Sequence, residues 1–184
     1  MKNIFTTVIL CAMAVTSVAG TTSITTGIAK EEINNTLSVD LVQFGLSYRF
    51  DNGWLLGTSA QKGYPNMSVV PKEMRYEATL GYSTNVDNFF PYATVSIGLR
   101  ERDNLPNINY YAINLGTKYL VNENFYTDMS YRFRDTNDIK WQTHTYFVGV
   151  GYNVTRSVSI QGQYGKTFGD FKSDQFGIVL INRF

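Results

Sequence analysis

The 184 residues suffice for one domain. Sixteen Lys and Arg against fifteen Asp and Glu leave a net charge of +1, so no charge bias points to a nucleic-acid partner. Thirteen Tyr, twelve Phe and fifteen Gly against four Pro favour strands, because rings suit a pleated, half-buried surface and glycine lets crowded strands approach.

Residues 1–19 read as a signal peptide removed on export. Lys2 supplies the positive start, Ile4 to Val15 the apolar stretch, and Ser17-Val18-Ala19 a small-residue cleavage site. Cleavage after Ala19 leaves a domain of residues 20–184. The apolar stretch is too short to span a bilayer comfortably, which argues against an uncleaved anchor. Cys11 follows Leu10 rather than a small residue, so it forms no lipoprotein cleavage box. The exported domain therefore has no disulfide. No later apolar run is long enough for a transmembrane helix.

Beyond residue 20 the hydrophobic period is two. Ser23 to Lys30 is a weakly alternating first strand, with Glu31 to Thr36 as its outer loop. Nine further strands follow at 37–50, 54–62, 74–83, 89–100, 109–119, 125–134, 142–152, 157–166 and 174–184. In the first of these Val42, Phe44, Leu46, Tyr48 and Phe50 alternate with Gln43, Gly45, Ser47 and Arg49. Successive strand side chains point to opposite faces, so each strand has one apolar and one polar side. Tight turns fall at Asp51-Asn52-Gly53, Asn85-Val86-Asp87, Asn122-Glu123-Asn124 and Asn153-Val154-Thr155, with longer polar links at 63–73, 101–108, 135–141 and 167–173. Short turns at one end and longer loops at the other fit a bacterial membrane barrel. Aromatics crowd the tight turns, among them Tyr48, Trp54, Tyr82, Phe89, Tyr119, Phe125 and Tyr152, as a girdle at a membrane boundary would require. Nine strands would make the first and last parallel, so Ser23 to Lys30 is needed to close an antiparallel barrel of ten; eight is the alternative count. The fold class is all-β, a transmembrane antiparallel barrel.

Phe184 as the last residue, with Leu180, Ile178 and Phe176 on its face, resembles the C-terminal signal of bacterial outer-membrane proteins, although Asn182 replaces an apolar residue at the alternate position. That resemblance implies recognition by the barrel-assembly machinery and a place in the Gram-negative outer membrane, among its lipids and lipopolysaccharide. Within this porin-like superfamily the segment Phe44 to Gly63 (FGLSYRFDNGWLLGTSAQKG) resembles the hairpins of oligogalacturonate-specific porins, which implies a basic lumen and import of acidic sugars.

If the aromatic face meets lipid, the other face lines a lumen. It carries Arg49, Arg75, Arg100, Lys118, Arg132, Arg134 and Arg183 against Glu77 and Asp128. Each such cation facing lipid at mid-membrane would cost about 2–4 kcal/mol, which sets the inward assignment. Two readings stay open. Rings of basic side chains make a channel that attracts anions, whereas Arg–carboxylate pairs can plug a small barrel. Small inward residues (Gly45, Ser47, Gly57, Ser59, Gly81, Ser96, Gly98, Gly116, Gly149, Gly151) leave room for water. His144, the single histidine, has Asp135 and Asp138 nearby in sequence, but its register places it on the lipid face beside Tyr146. A lipid-modifying enzyme is thus a remote alternative, and one histidine with no exported cysteine gives no metal site. The expectation is a narrow passive pore without cofactor, weakly favouring small anionic or acidic-sugar solutes; the alternative is a closed barrel with a structural or surface-interaction role.

Overall fold

The computed structural model describes residues 20–67, 71–136 and 141–184. The signal-peptide expectation lies outside these residues. The described chain forms ten strands: β1 Gly20–Ile33, β2 Leu37–Phe50, β3 Trp54–Pro65, β4 Glu73–Ser83, β5 Phe89–Arg102, β6 Leu105–Leu120, β7 Phe125–Thr136, β8 Gln142–Asn153, β9 Val158–Gly169 and β10 Ser173–Arg183. They close into one antiparallel barrel in sequence order. The seam joins β1 to β10 from Ser23↔Arg183 to Ile33↔Ser173. Phe184 extends it, exchanging backbone bonds of 2.9 and 3.2 Å with Thr22. Closure explains why the poorly alternating β1 is still a strand: its β-branched residues suit the sheet, and both neighbours would otherwise present unpaired edges.

The strands run further than alternation alone suggests. β1 continues to Ile33, so the expected loop from Glu31 shrinks to Asn34–Thr36, with Asn34 and Asn35 in the left-handed region (φ 50° and 57°) that asparagine tolerates. The expected 101–108 link becomes a hairpin turn at Asp103-Asn104, and that at 167–173 shrinks to residues 170–172. β3 runs to Pro65 and β7 to Thr136, past the expected starts of the links at 63–73 and 135–141. Ladder hydrogen bonds continue past the apolar belt, so polar residues there stay paired although their hydrophobic period has ended. Tight turns lie at the opposite end, together with Gly20 and Phe184. Gly53 takes φ 91° there, and the Asn122 carboxamide oxygen accepts from the N–H groups of Asn124 and Phe125 at 2.9 and 2.8 Å. These ends are called the turn end and the loop end below.

The outer surface is apolar, as the register requires. Ile97 is 71% exposed, Ile28 63% and Met129 57%, levels that only a non-aqueous surrounding tolerates around a whole barrel. Rings border this belt at both rims, where one girdle was expected. At the turn end Trp54 packs on Tyr82 and Phe125 on Tyr152, with centroids 5.8 and 4.9 Å apart. Toward the loop end Tyr131 packs on Tyr146 and Tyr164 on Phe176, at 5.2 and 4.8 Å.

Other rings take inward positions, and besides Phe90, opposite Lys118, four of them share one arrangement. Each sits directly opposite a glycine on the adjacent strand: Tyr92 on Gly116, Tyr110 on Gly98, Tyr126 on Gly151 and Phe147 on Gly165. A Cβ on any of these glycines would overlap the facing ring. The rings therefore lie along the wall instead of crossing the lumen. Gly98, Gly116 and Gly151 thus hold rings where room for water was expected. Open space concentrates on β2 and β3, where a Cβ on Gly45 or Gly57 would meet only ordinary contacts.

Candidate functional site

Period two places Glu73, Arg75 and Glu77 of β4 on the inner face, with Arg100 of β5 directly opposite Arg75. Two facing cations repel. Glu73 resolves this by forming ion pairs with both guanidiniums, including an Arg100 Nε bond of 2.7 Å. Arg75 also lies 3.7 Å from Glu31 of β1 and donates to Gln61 Oε1 at 3.2 Å. Glu31 is only 4% exposed and accepts from Ser173 Oγ at 2.8 Å. Arg100 packs over the Trp141 ring at 4.8 Å. From β7, Arg132 reaches across the lumen to an ion pair with Glu77, which also accepts from the Tyr110 hydroxyl at 2.9 Å. Arg134 lies over the Tyr110 ring at 5.1 Å and makes no ion pair among the described residues. The loop-end half therefore holds two clusters of charge-assisted bonds, one around Glu73 and one around Glu77.

The turn-end half differs. Lys118 of β6 and Asp128 of β7 are cross-strand partners, yet no ion pair joins them. The Lys118 ammonium sits 3.6 Å from the centre of the Tyr126 ring, and Asp128 accepts from the Tyr92 hydroxyl at 3.2 Å. Arg183 donates to Ser159 Oγ at 2.8 Å, and Ser159 in turn donates to Asn153 Oδ1 at 2.8 Å. Arg49, Lys118 and Arg183 make no ion pair with any described carboxylate. They border a cavity of about 590 Å³ that opens among the tight turns, where Arg156 adds a further cation and Glu123 an acid. A second cavity of about 390 Å³ lies deeper, between the small-residue wall of β2 and β3 and the side chains of Arg75, Arg132 and Arg134, with Glu77 as the one acid in its lining among the described residues.

All the charges expected to line the lumen (Arg49, Arg75, Glu77, Arg100, Lys118, Asp128, Arg132, Arg134 and Arg183) occupy inward register positions. Two acids were missed. Glu31 had been assigned to a loop and Glu73 to a link, and Arg102, opposite Glu73 on the same face, to another link, so among the described residues eight cations face four carboxylates where seven were expected to face two. The signal was present for Glu73, which stands two residues before Arg75 on the same face. Phe176, Ile178 and Leu180 share the outer face, 60%, 58% and 37% exposed, and Phe184 is 75% exposed beside them. His144 also faces outward. Its Nδ1 lies 2.6 Å from the Tyr131 hydroxyl, while the Asp135 carboxylate accepts from Tyr111 and Gln142 at 2.8 and 3.1 Å. Asp138 lies outside the described residues. No cluster of metal-ligating side chains occurs among the described residues.

No family model matches the sequence, and no curated protein does. Solved structures match through the fold. The β domain of the Bordetella autotransporter BrkA aligns at a TM-score of 0.58 with 13% identity, over 90% of this chain and 100% of that one. An outer-membrane channel from Pseudomonas putida F1 aligns at 0.60 with 8% identity, over 91% and 96%. A KdgM porin matches at 0.45 and 13% identity, over 84% and 97%, too distant to bear on the solute. At these identities the likeness establishes the outer-membrane β-barrel fold and nothing finer.

Proposed function

We propose that this barrel is a narrow passive pore in a Gram-negative outer membrane, exported through a cleaved signal peptide and weakly favouring small anionic solutes, acidic sugars included. The observation that carries the reading is the cavity at the turn end, bordered by Arg49, Lys118 and Arg183 without carboxylate partners. Four cations (Arg49, Lys118, Arg156 and Arg183) against two acids (Glu123 and Asp128) around an aqueous mouth raise the local concentration of anions. The apolar belt, ringed by aromatics at both rims, supports a bilayer location among outer-membrane lipids and lipopolysaccharide. Phe176, Ile178, Leu180 and Phe184, on one exposed face of the last strand, suit recognition by the barrel-assembly machinery.

Ten strands enclose little more than a filled interior, so a closed barrel is the second reading. The bar formed by Arg132 and Glu77 across the lumen favours it. Single-channel recording of refolded residues 20–184 in a planar bilayer under a salt gradient separates the two. Steady openings with a reversal potential toward the chloride equilibrium are expected of the pore. A silent barrel with intact β circular dichroism would assign the interior charges to a plug.

A further inference from the structure

Arg75, Arg132 and Arg134 border one cavity of about 390 Å³. Each keeps a buried Nε–H with no hydrogen-bond partner among the described residues. Such groups are usually satisfied, because a buried donor without an acceptor loses its hydration for nothing. The three nitrogens are themselves closed off from the cavity, so they mark guanidiniums whose donors outnumber the acceptors around them, not donors that a ligand would reach.

The charges agree. Glu73 is shared between Arg75 and Arg100, Glu31 pairs with Arg75, and Glu77 is engaged by Arg132 and Tyr110. Arg134 forms no ion pair among the described residues and packs over the Tyr110 ring, with Glu77 the acid whose charge it feels. The facing wall offers Gln43, Ser47 and Ser59 around two glycines, so it supplies hydroxyl and amide groups without filling the space. A volume of this size lies at the low end for small-molecule sites, about 300–1,000 Å³.

We propose that this cavity is a discrete binding site for one oxyanion group, a phosphate or carboxylate, held by Arg134 with Arg132 and Arg75. Guanidinium forks match such oxygens in pairs, which a simple field of positive charge does not require. The proposal deepens the pore reading, since an anion passing the Arg132–Glu77 bar on the side of β2 and β3 would pause here. It does not depend on conduction.

Binding is measured on the refolded barrel in detergent, by titration calorimetry with inorganic phosphate and, in parallel, acetate. Saturable binding of either at low salt is expected, with the tighter of the two naming the oxyanion. Arg134→Met, which keeps the packing on Tyr110, is expected to weaken it at least tenfold, whereas Lys30→Gln on the exposed outer face leaves it within twofold. Should Arg134→Met not refold, Arg134→Lys keeps the charge but loses the fork and is expected to lose most of the affinity. Absence of saturable binding by both anions overturns the site, as does unchanged affinity in the Arg134 variant. A barrel that binds but never conducts removes the pore and keeps the site; one that conducts without binding does the reverse.

Discussion

The two halves of the lumen use the same residue types to opposite effect. At the loop end, Arg75 and Arg100 are tied to Glu31 and Glu73, and Arg132 to Glu77. At the turn end Lys118 faces Asp128 across the ladder and ignores it for a Tyr126 ring. The difference lies in what stands beside each cation. Glu73 is two residues from Arg75 on the same strand and opposite the next strand's arginine, so short side-chain reaches suffice. Near Lys118, Tyr126 lies flat on Gly151 and offers its π-face, and Tyr92, flat on Gly116, takes the aspartate. A lumen can thus be rigid where charges are matched and electrostatically active where rings separate them.

The largest test of that contrast is Glu73→Ala. It leaves Arg75 and Arg100, little exposed and directly opposed, without their shared acid. Removing one partner of a buried pair costs about 3–5 kcal/mol, and the urea midpoint of the refolded barrel should fall accordingly. A shift no larger than that of a surface variant would show that lumenal water already screens the network. Gly151→Val ranks next. Its side chain would displace the Tyr126 ring, an overpacking cost of about 1–3 kcal/mol. The released Lys118 should then pair with Asp128 and lower anion preference, read as a shift in reversal potential. An unaltered potential would mean that ring and ammonium are independent. The smallest effect on stability belongs to Arg49→Gln, within about 0.5 kcal/mol because no ion pair is lost. Its effect should appear only in selectivity, with the anion-to-cation permeability ratio falling. Equal selectivity would move the filter away from the turn-end mouth.

Strand number and facing were readable from residues alone. Val42 to Phe50 or Tyr146 to Tyr152 announce their register because alternation belongs to one strand and needs no partner. The tenth strand followed from parity, although Thr21 to Thr26 scarcely alternate. Strand ends were not readable, since Glu31, Arg102 and Thr136 pair through backbone bonds that carry no hydrophobic signature. The candidate site was readable as a set of inward charges but not as two clusters. Glu31 joins Arg75 only because the sheet curves, which brings β1 and β4, with β2 and β3 between them, within reach of each other on the inner face. Arg132 meets Glu77 only because the barrel is narrow enough to be bridged.

The sequence by itself thus determined the alternation, the outward apolar face, the inward charges and the closure at ten strands, all properties of single strands or of their count. Tertiary structure alone decided which carboxylate neutralises which cation, which glycines hold rings and which leave space, and that Arg134 stays without an acid. Those outcomes depend on distances across a closed lumen, where residues far apart in the chain compete for the same few ångströms.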